Sequence, residues 1–314
     1  MRLENRTIST PGASSFWQRE WKALWRSKTA YLFIAPLVIT VCCILLYPIF
    51  KAALMSFQYW YIAKPIGGHP FVGLKNYIEV VRSDYFFKSL GITGIYLAVT
   101  VVARFLLGLG TALLLNKKFK GRSFARVLII VPWAMSEVVA CLIFVLMYDY
   151  QYGIINHLLM SVNLIDTPIS FLGDANYALD AAMLVNVWKG FPFVAIMLLA
   201  GLQSIPDELY EAATVDGASG WDKFWHVTLP TLKPVSLVVF LLLVVWTIRD
   251  FAIVYVLTNG GPSRATEIFT IFVYRSGFEY YQFGEAAAGG MILLLFSLVF
   301  TFIYMKVTKA GDTA

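Results

Sequence analysis

The sequence predicts an all-α membrane protein with six spanning helices. Its 314 residues are 59% hydrophobic and only 14% charged, and the mean hydropathy is +0.70. Soluble domains average about 25% charged residues, so lipid must take up the apolar surplus. The apolar residues also fall into six runs near the length of about 20 residues that crosses a bilayer as a helix. The Lys and Arg residues gather at the ends of some runs and not of others.

Residues 1–29 read as a basic N-terminal tail. Trp17, Trp21, Leu24 and Trp25 recur at i, i+4, i+7 and i+8, with Arg19, Lys22, Arg26 and Lys28 between them. Two readings stay open: an amphipathic helix lying on the membrane surface, or a flexible anchor. The tail is too long and polar for a cleaved signal, so no signal peptide is expected.

The six-span domain is placed at 30–309, with a short C-terminal tail at 310–314. The first span lies between Lys28 and Lys51 without a charge. The second is roughly 89–115, interrupted by Arg104, and the third roughly 127–148, interrupted by Glu137. The fourth is roughly 179–203 with Lys189 inside it. The fifth is roughly 234–257 with Arg249 and Asp250, and the sixth roughly 286–305. Arg104 and Glu137 are candidates to pair across the second and third spans. Pro132 is expected to kink the third. Tyr148, Asp149, Tyr150 and Tyr152 follow it, as an aromatic belt or as a sugar entrance.

Positive charge sets the orientation. The tail before the first span holds six Lys and Arg residues, the loop 116–126 holds five, and Lys306 and Lys309 follow the last span. The loop 149–177 has none, and 258–284 has only Arg264 and Arg275. Both termini and the loop 116–126 are therefore expected in the cytoplasm. The loop 204–232 falls on the same side by counting, yet it is acidic, with Asp207, Glu208, Glu211, Asp216 and Asp222. A cytoplasmic loop that departs from the charge rule suggests a protein partner.

Its pattern is a helix, a glycine and a second helix. Ser204-Ile-Pro-Asp207 reads as a helix start, with Ser204 as the cap and Pro206 in the first turn. Leu209, Ala212 and Ala213 share one face, and Gly217 ends the helix. Ser219-Gly-Trp-Asp222 repeats the cap. Trp221, Phe224, Trp225 and Thr228 then line one face, and Pro230 and Pro234 are expected to stop that helix. Physics alone leaves open a docking platform or a hairpin packed on lipid or on the spans.

The side chains offer little for catalysis. No Gly-x-x-x-x-Gly-Lys-Ser/Thr loop, His-Glu-x-x-His or Gly-x-Ser-x-Gly occurs, so the chain is not expected to be an enzyme or to bind ATP by a P-loop. Cys42, Cys43 and Cys141 lie in apolar runs, and His69, His157 and His226 form no i, i+4 pair, so no metal site is expected. Nothing points to nucleic acid.

Charges inside spans are costly and mark functional positions. Asn186, Lys189, Gly190 and Phe193 form one stripe at i, i+3, i+4 and i+7. Trp246, Arg249 and Asp250 form another, with Thr247 beside them. Rings beside hydrogen-bonding groups suit a sugar, whose apolar face stacks while its hydroxyls bond.

Glu211-Ala212-Ala213, Gly217 and Leu229-Pro230 together resemble the EAA loop of ABC-importer permeases, with Val227 where the family usually has Ile. Phe71-Val-Gly-Leu-Lys-Asn-Tyr77, Leu257-Thr-Asn-Gly-Gly-Pro262 and Phe283-Gly-Glu-Ala-Ala-Ala288 resemble further segments of the carbohydrate-uptake family. The resemblance covers nearly the whole chain from residue 31. It is nearest to sugar permeases such as the large maltose and the glycerol-phosphate permease subunits. It departs from the large maltose subunit in lacking a long insertion at 58–89 and extra N-terminal spans.

The resemblance implies the type I importer permease fold in a bacterial or archaeal cytoplasmic membrane. It implies four partners besides lipid: a second, homologous permease, two ATPase subunits that bind ATP and Mg, and an extracytoplasmic solute-binding protein. It implies that Glu211, Ala212, Ala213, Asp216, Gly217, Trp221, Phe224, Leu229 and Pro230 couple to the ATPase. It places Asn186, Gly190, Phe193, Trp246, Thr247 and Asp250 at the sugar. Lys189 and Arg249 depart from the family example. They suggest an anionic cargo, a uronate oligosaccharide or sugar phosphate, or else ion pairs with Asp250, another span or the partner permease. The alternative function is a stand-alone ion-coupled secondary transporter, which usually shows internal repeats and intramembrane acids that are hard to find here.

Overall fold

The computed structural model describes residues 28–63 and 67–311. The amphipathic-tail reading and the C-terminal tail from residue 312 lie outside the described residues. The described chain is helical, apart from two isolated β-bridges. The described residues fall into two compact units, divided between Leu54 and Met55.

The first unit carries the first span. Its described helix comprises α1 (Lys28–Val41), a π-turn (Cys42–Leu46) and α2 (Tyr47–Ser56), whose last two residues already belong to the second unit. The spanning stretch Tyr31–Ser56 has mean hydropathy 2.6, and none of its apolar window is buried.

The second unit begins with α3 (Lys75–Arg82) and the long α4 (Asp84–Asn116). The third span is α5 (Arg122–Ala134) and α6 (Glu137–Met147), bent by 95° at Met135–Ser136. After α7 (Ile154–Ser161) comes α8 (Ala178–Gln203). The short helices are α9 (Asp207–Val215) and α10 (Gly220–Lys223), and α10 runs through a π-turn (Phe224–Thr228) into α11 (Leu229–Ile248). Then follow α12 (Ala252–Thr258), α13 (Phe269–Tyr274), a π-turn (Arg275–Glu279) and α14 (Phe283–Gly311). Among the described residues, five helices are long and apolar enough to cross a membrane, and the bent pair, taken as one span, makes six.

Three local expectations are corrected. Pro230 and Pro234 do not end the second short helix. The π-turn bonds Leu229 N–H to Phe224 O, and Gly220–Ile248 forms one spanning helix past both prolines. The fifth span stops at Ile248, because the backbone breaks at Arg249–Phe251 before α12 starts. Ser204 is no N-cap: its hydroxyl bonds back to Gly201 O at 2.8 Å, and the extended Pro206 precedes α9.

The core follows membrane rules, in which small residues let helices approach. A Cβ at Gly108 on α4 would lie 2.5 Å from Val194 Cβ on α8. One at Gly201 would lie 2.9 Å from Leu232 Cδ2 on α11. Val194, Leu198, Leu202, Leu232 and Leu243 fill the layer between these helices. Large apolar side chains such as Leu106, Leu146 and Phe302 stay exposed, as lipid-facing residues do. At one end, the two motifs Phe71–Tyr77 and Phe283–Ala288 meet. Asn76 Nδ2 donates to Ser56 O (2.8 Å) and Gln58 O (2.9 Å), and Gly284 N–H donates to Trp60 O. A side chain at 284 would strike Asn76, which accounts for the glycine there.

Candidate functional site: a polar cavity and a helix–glycine–helix platform

Two helix breaks meet at one cavity. The break in the third span brings Trp133 and Glu137 to it, and the break ending the fifth brings Arg249 through Ile253. Unpaired backbone at membrane depth survives only where it is packed or lines a wet cavity. The volume is about 350 Å³, within the range of small-molecule sites.

Seven of the eight residues singled out in the sequence line it: Lys189, Gly190, Phe193, Trp246, Thr247, Arg249 and Asp250. Asn186 does not. It is buried behind Asp250, and its Nδ2 donates to Asp250 Oδ2 at 2.5 Å. Tyr96 OH donates to the same oxygen at 2.7 Å, and Thr270 Oγ1 holds the Asp250 carbonyl at 2.5 Å. The carboxylate is thus locked to α4 and α8, and its backbone to α13.

Arg104 and Glu137 both line the cavity but do not form an ion pair. Arg104 instead donates from Nε to Asn186 O (3.0 Å) and from Nη1 to Thr247 Oγ1 (3.4 Å). Gly190 makes this possible, since a Cβ there would fall inside the guanidinium. Arg249 and Asp250, although adjacent, do not pair either.

Lys189 is only 9% exposed, yet among the described residues no carboxylate lies within 4 Å of its ammonium. Among the described residues, its ammonium donates to Trp133 O, at 3.5 Å. One wall is aromatic: Trp133 stacks on Phe193 with centroids 5.9 Å apart, and Phe193 lies 4.8 Å from Trp246. Trp246 remains 44% exposed. Rings beside hydrogen-bonding groups offer both kinds of contact that a polar ring compound uses; no cluster of metal-ligating side chains occurs among the described residues.

Sequence reasoning gave no role to Tyr96 or Trp133. A tyrosine in an apolar run carries no periodic signal, and its partner is 154 positions away. Tyr148 is not an aromatic-belt residue. It is buried and donates to Ala181 O, whereas Tyr150 and Tyr152 stay exposed.

Beyond the fourth span, α9 and α10 form the second feature. Gly217 has φ +78 and closes α9 with Ala218 N–H on Ala213 O and Gly217 N–H on Thr214 O, the paired bonds of a Schellman stop. Ser219 caps α10: its Oγ accepts from Asp222 N–H, and Asp222 Oδ2 accepts from Ser219 N–H at 2.9 Å. Lys223 Nζ reaches Thr214 Oγ1 at 2.8 Å, and the Tyr210 and Thr228 hydroxyls bond at 3.0 Å, so the two helices are tied twice. Tyr210, which the sequence did not flag, also packs with Val227 on the span core.

The outward face is small, acidic and aromatic. Glu211, Ala212, Asp216, Gly217 and Pro230 are exposed, whereas Ala213, Phe224 and Leu229 are half-buried. Trp221 is 69% exposed and clusters with Phe224 and Trp225.

Membrane-length helices surround a polar cavity, and a stiff, polar helix pair follows the fourth span. Residues 104–309 match the model of the family described as "Binding-protein-dependent transport system inner membrane component". The chain is 38% identical over 286 residues to the trehalose/maltose transport system permease protein MalF of Thermococcus litoralis, covering 90% of this chain and 94% of that one. It is 31% identical over 296 residues to the sulfoquinovosyl glycerol transport system permease protein SmoG of Agrobacterium fabrum, covering 94% and 95%. Its fold matches a chain of a bacterial ABC transporter involved in import of the acidic polysaccharide alginate, with TM-score 0.76 and 22% identity over 93% of this chain and 99% of that chain.

The chain belongs to the family of binding-protein-dependent inner membrane components, the permease subunits of ABC importers, and is a multi-pass protein of the inner membrane. The sequence resemblance to carbohydrate-uptake permeases and the type I fold are both borne out.

Proposed function

We propose that this chain forms half of the translocation pathway of an ATP-driven importer for an acidic saccharide. The observation that carries the cargo chemistry is Lys189. A buried ammonium without a counter-ion is costly, and a ligand carboxylate, sulfonate or phosphate would relieve that cost. Arg249, exposed at the cavity and unpaired, adds a second cation. Trp246, Phe193 and Trp133 would stack on the sugar ring, and Thr247 with the Asp250 lattice would fix its hydroxyls. The acidic polysaccharide and sulfoquinovosyl glycerol in the names of similar proteins are consistent with this charge, and the trehalose/maltose relative shows that neutral cargo also occurs in the family.

The rest of the assembly follows from that role. A second permease chain completes the pathway, a solute-binding protein delivers cargo, and two ATPase subunits supply ATP, Mg and the power stroke. Residues 208–230 dock to the ATPase. Small Ala212 and Ala213 permit close approach, and the capped, twice-tied helices transmit a rigid-body motion to the core through Tyr210 and Val227. Both termini then lie in the cytoplasm, as the tail and the loop 116–126 suggest. Lys64, Lys75, Arg82 and Lys88 weigh on the other side of that charge balance.

The test is uptake by proteoliposomes holding the full complex, offered a labelled trisaccharide with one uronate residue and maltotriose in turn. Uptake of the uronate alone, or strongly favoured, is expected. Uptake of maltotriose alone would remove the acidic cargo from the account.

A further inference from the structure

Five ionisable side chains line the cavity, and two are already committed. Arg104 is held by Asn186 O and Thr247, and Asp250 by Tyr96 and Asn186. The remaining three are Lys189, Arg249 and Glu137. None makes an ion pair among the described residues. The uncommitted groups thus carry two positive charges and one negative.

Glu137 is the first residue of α6, at the 95° break, and its side chain is exposed with no hydrogen-bond partner among the described residues. It is a free carboxylate in a cavity otherwise suited to anions. We infer that Glu137 is a specificity-determining residue that restricts the cargo to saccharides with a single negative charge. The cargo anion meets Lys189 and Arg249. Glu137 accepts hydrogen bonds from the hydroxyls of a neutral neighbouring sugar. A second anionic sugar placed there meets Glu137 instead, and like charges at short range in a partly desolvated cavity repel strongly. This rests on the acidic-saccharide reading above.

The experiment measures direct calorimetric binding to the purified complex of the full chain and its partner subunits, without binding protein, at neutral pH. Three probes are used: maltose, an aldobiouronate with one carboxylate, and digalacturonate with two. Wild type is expected to prefer the aldobiouronate. Glu137→Gln should raise the ratio of digalacturonate to aldobiouronate affinity about tenfold or more, the scale of removing one nearby like charge. Arg249→Gln should lower the same ratio. Groups contributed by the partner permease are the same in every arm, so the change in ratio isolates the substituted residue. A ratio unmoved in Glu137→Gln, with aldobiouronate still bound, overturns this inference and leaves the acidic-cargo reading standing. Wild-type binding of maltose alone overturns the acidic reading, and this inference with it. Should Glu137→Gln fail to assemble, an unmoved ratio in Arg249→Gln overturns the charge-matching argument in its place.

Discussion

Tyr96 on the second span donates its hydroxyl to Asp250 at the break of the fifth, 2.7 Å away across 154 residues of sequence. Asn186 shares the same carboxylate oxygen from the fourth span. One acid therefore fastens three spans at the edge of the cavity. The double-mutant cycle of Tyr96→Phe and Asp250→Asn should give a coupling of about 1 kcal/mol, the usual scale for hydrogen bonds between membrane helices. Unfolding of the purified chain in mixed micelles measures it, and additive effects would mean the bond contributes nothing.

Gly190 gives Arg104 its place. Gly190→Ala is expected to displace the guanidinium and to reduce cargo binding at least about tenfold, the cost of one misplaced charged contact. Gly94→Ala on α4, where a Cβ meets nothing within 4 Å, should leave binding near wild type. Equal losses in both would indicate a general intolerance of alanine in these spans.

Gly217 closes α9 in a left-handed conformation with open space around it. Gly217→Asn should be tolerated, since Asn visits that conformation. Gly217→Pro, with φ held near −65°, should leave ATP hydrolysis but abolish its coupling to transport. Parallel assays of phosphate release and uptake decide it. Wild-type coupling in the proline variant would remove the loop from the transmission path.

Tyr210→Phe deletes the hydroxyl that bonds Thr228 and unties one of the two links that hold α9 to α10 and the π-turn after it. Transport per ATP hydrolysed should fall severalfold, while the amount of ATPase that co-purifies stays the same. A drop in co-purification would assign Tyr210 to docking rather than to transmission.

Much of the fold was legible in the sequence because the bilayer imposes it: apolar runs near 20 residues, cut by charges, mark spans. Breaks were harder. Pro132 suggested a kink, but α5 continues through Pro132 to Ala134, and the bend falls at Met135–Ser136. Pro234 suggested a stop, yet the helix runs past it to Ile248. The Ser219 capping box was readable, since its four residues are contiguous, whereas Ser204 mimicked one and bonds elsewhere.

The cavity lining was partly legible through the two charged stripes on the fourth and fifth spans. The roles inside it were not. Asn186 looked like a lining residue and is a buried brace. Arg104 looked like a partner for Glu137 and is held by a backbone carbonyl made reachable by Gly190. Such assignments depend on how helices face each other, which side-chain periodicity within one helix does not encode.

The most direct test of the central claim is purification of the tagged chain in mild detergent, co-expressed with the products of neighbouring genes. ATP hydrolysis is then measured with its binding protein loaded with acidic or neutral saccharide. Co-purification of an ATPase and a second permease is expected, with hydrolysis stimulated by the acidic cargo and the stimulation lost in Lys189→Met. A chain that purifies without an ATPase, or an assembly stimulated equally by neutral sugar and indifferent to Lys189, would contradict the account.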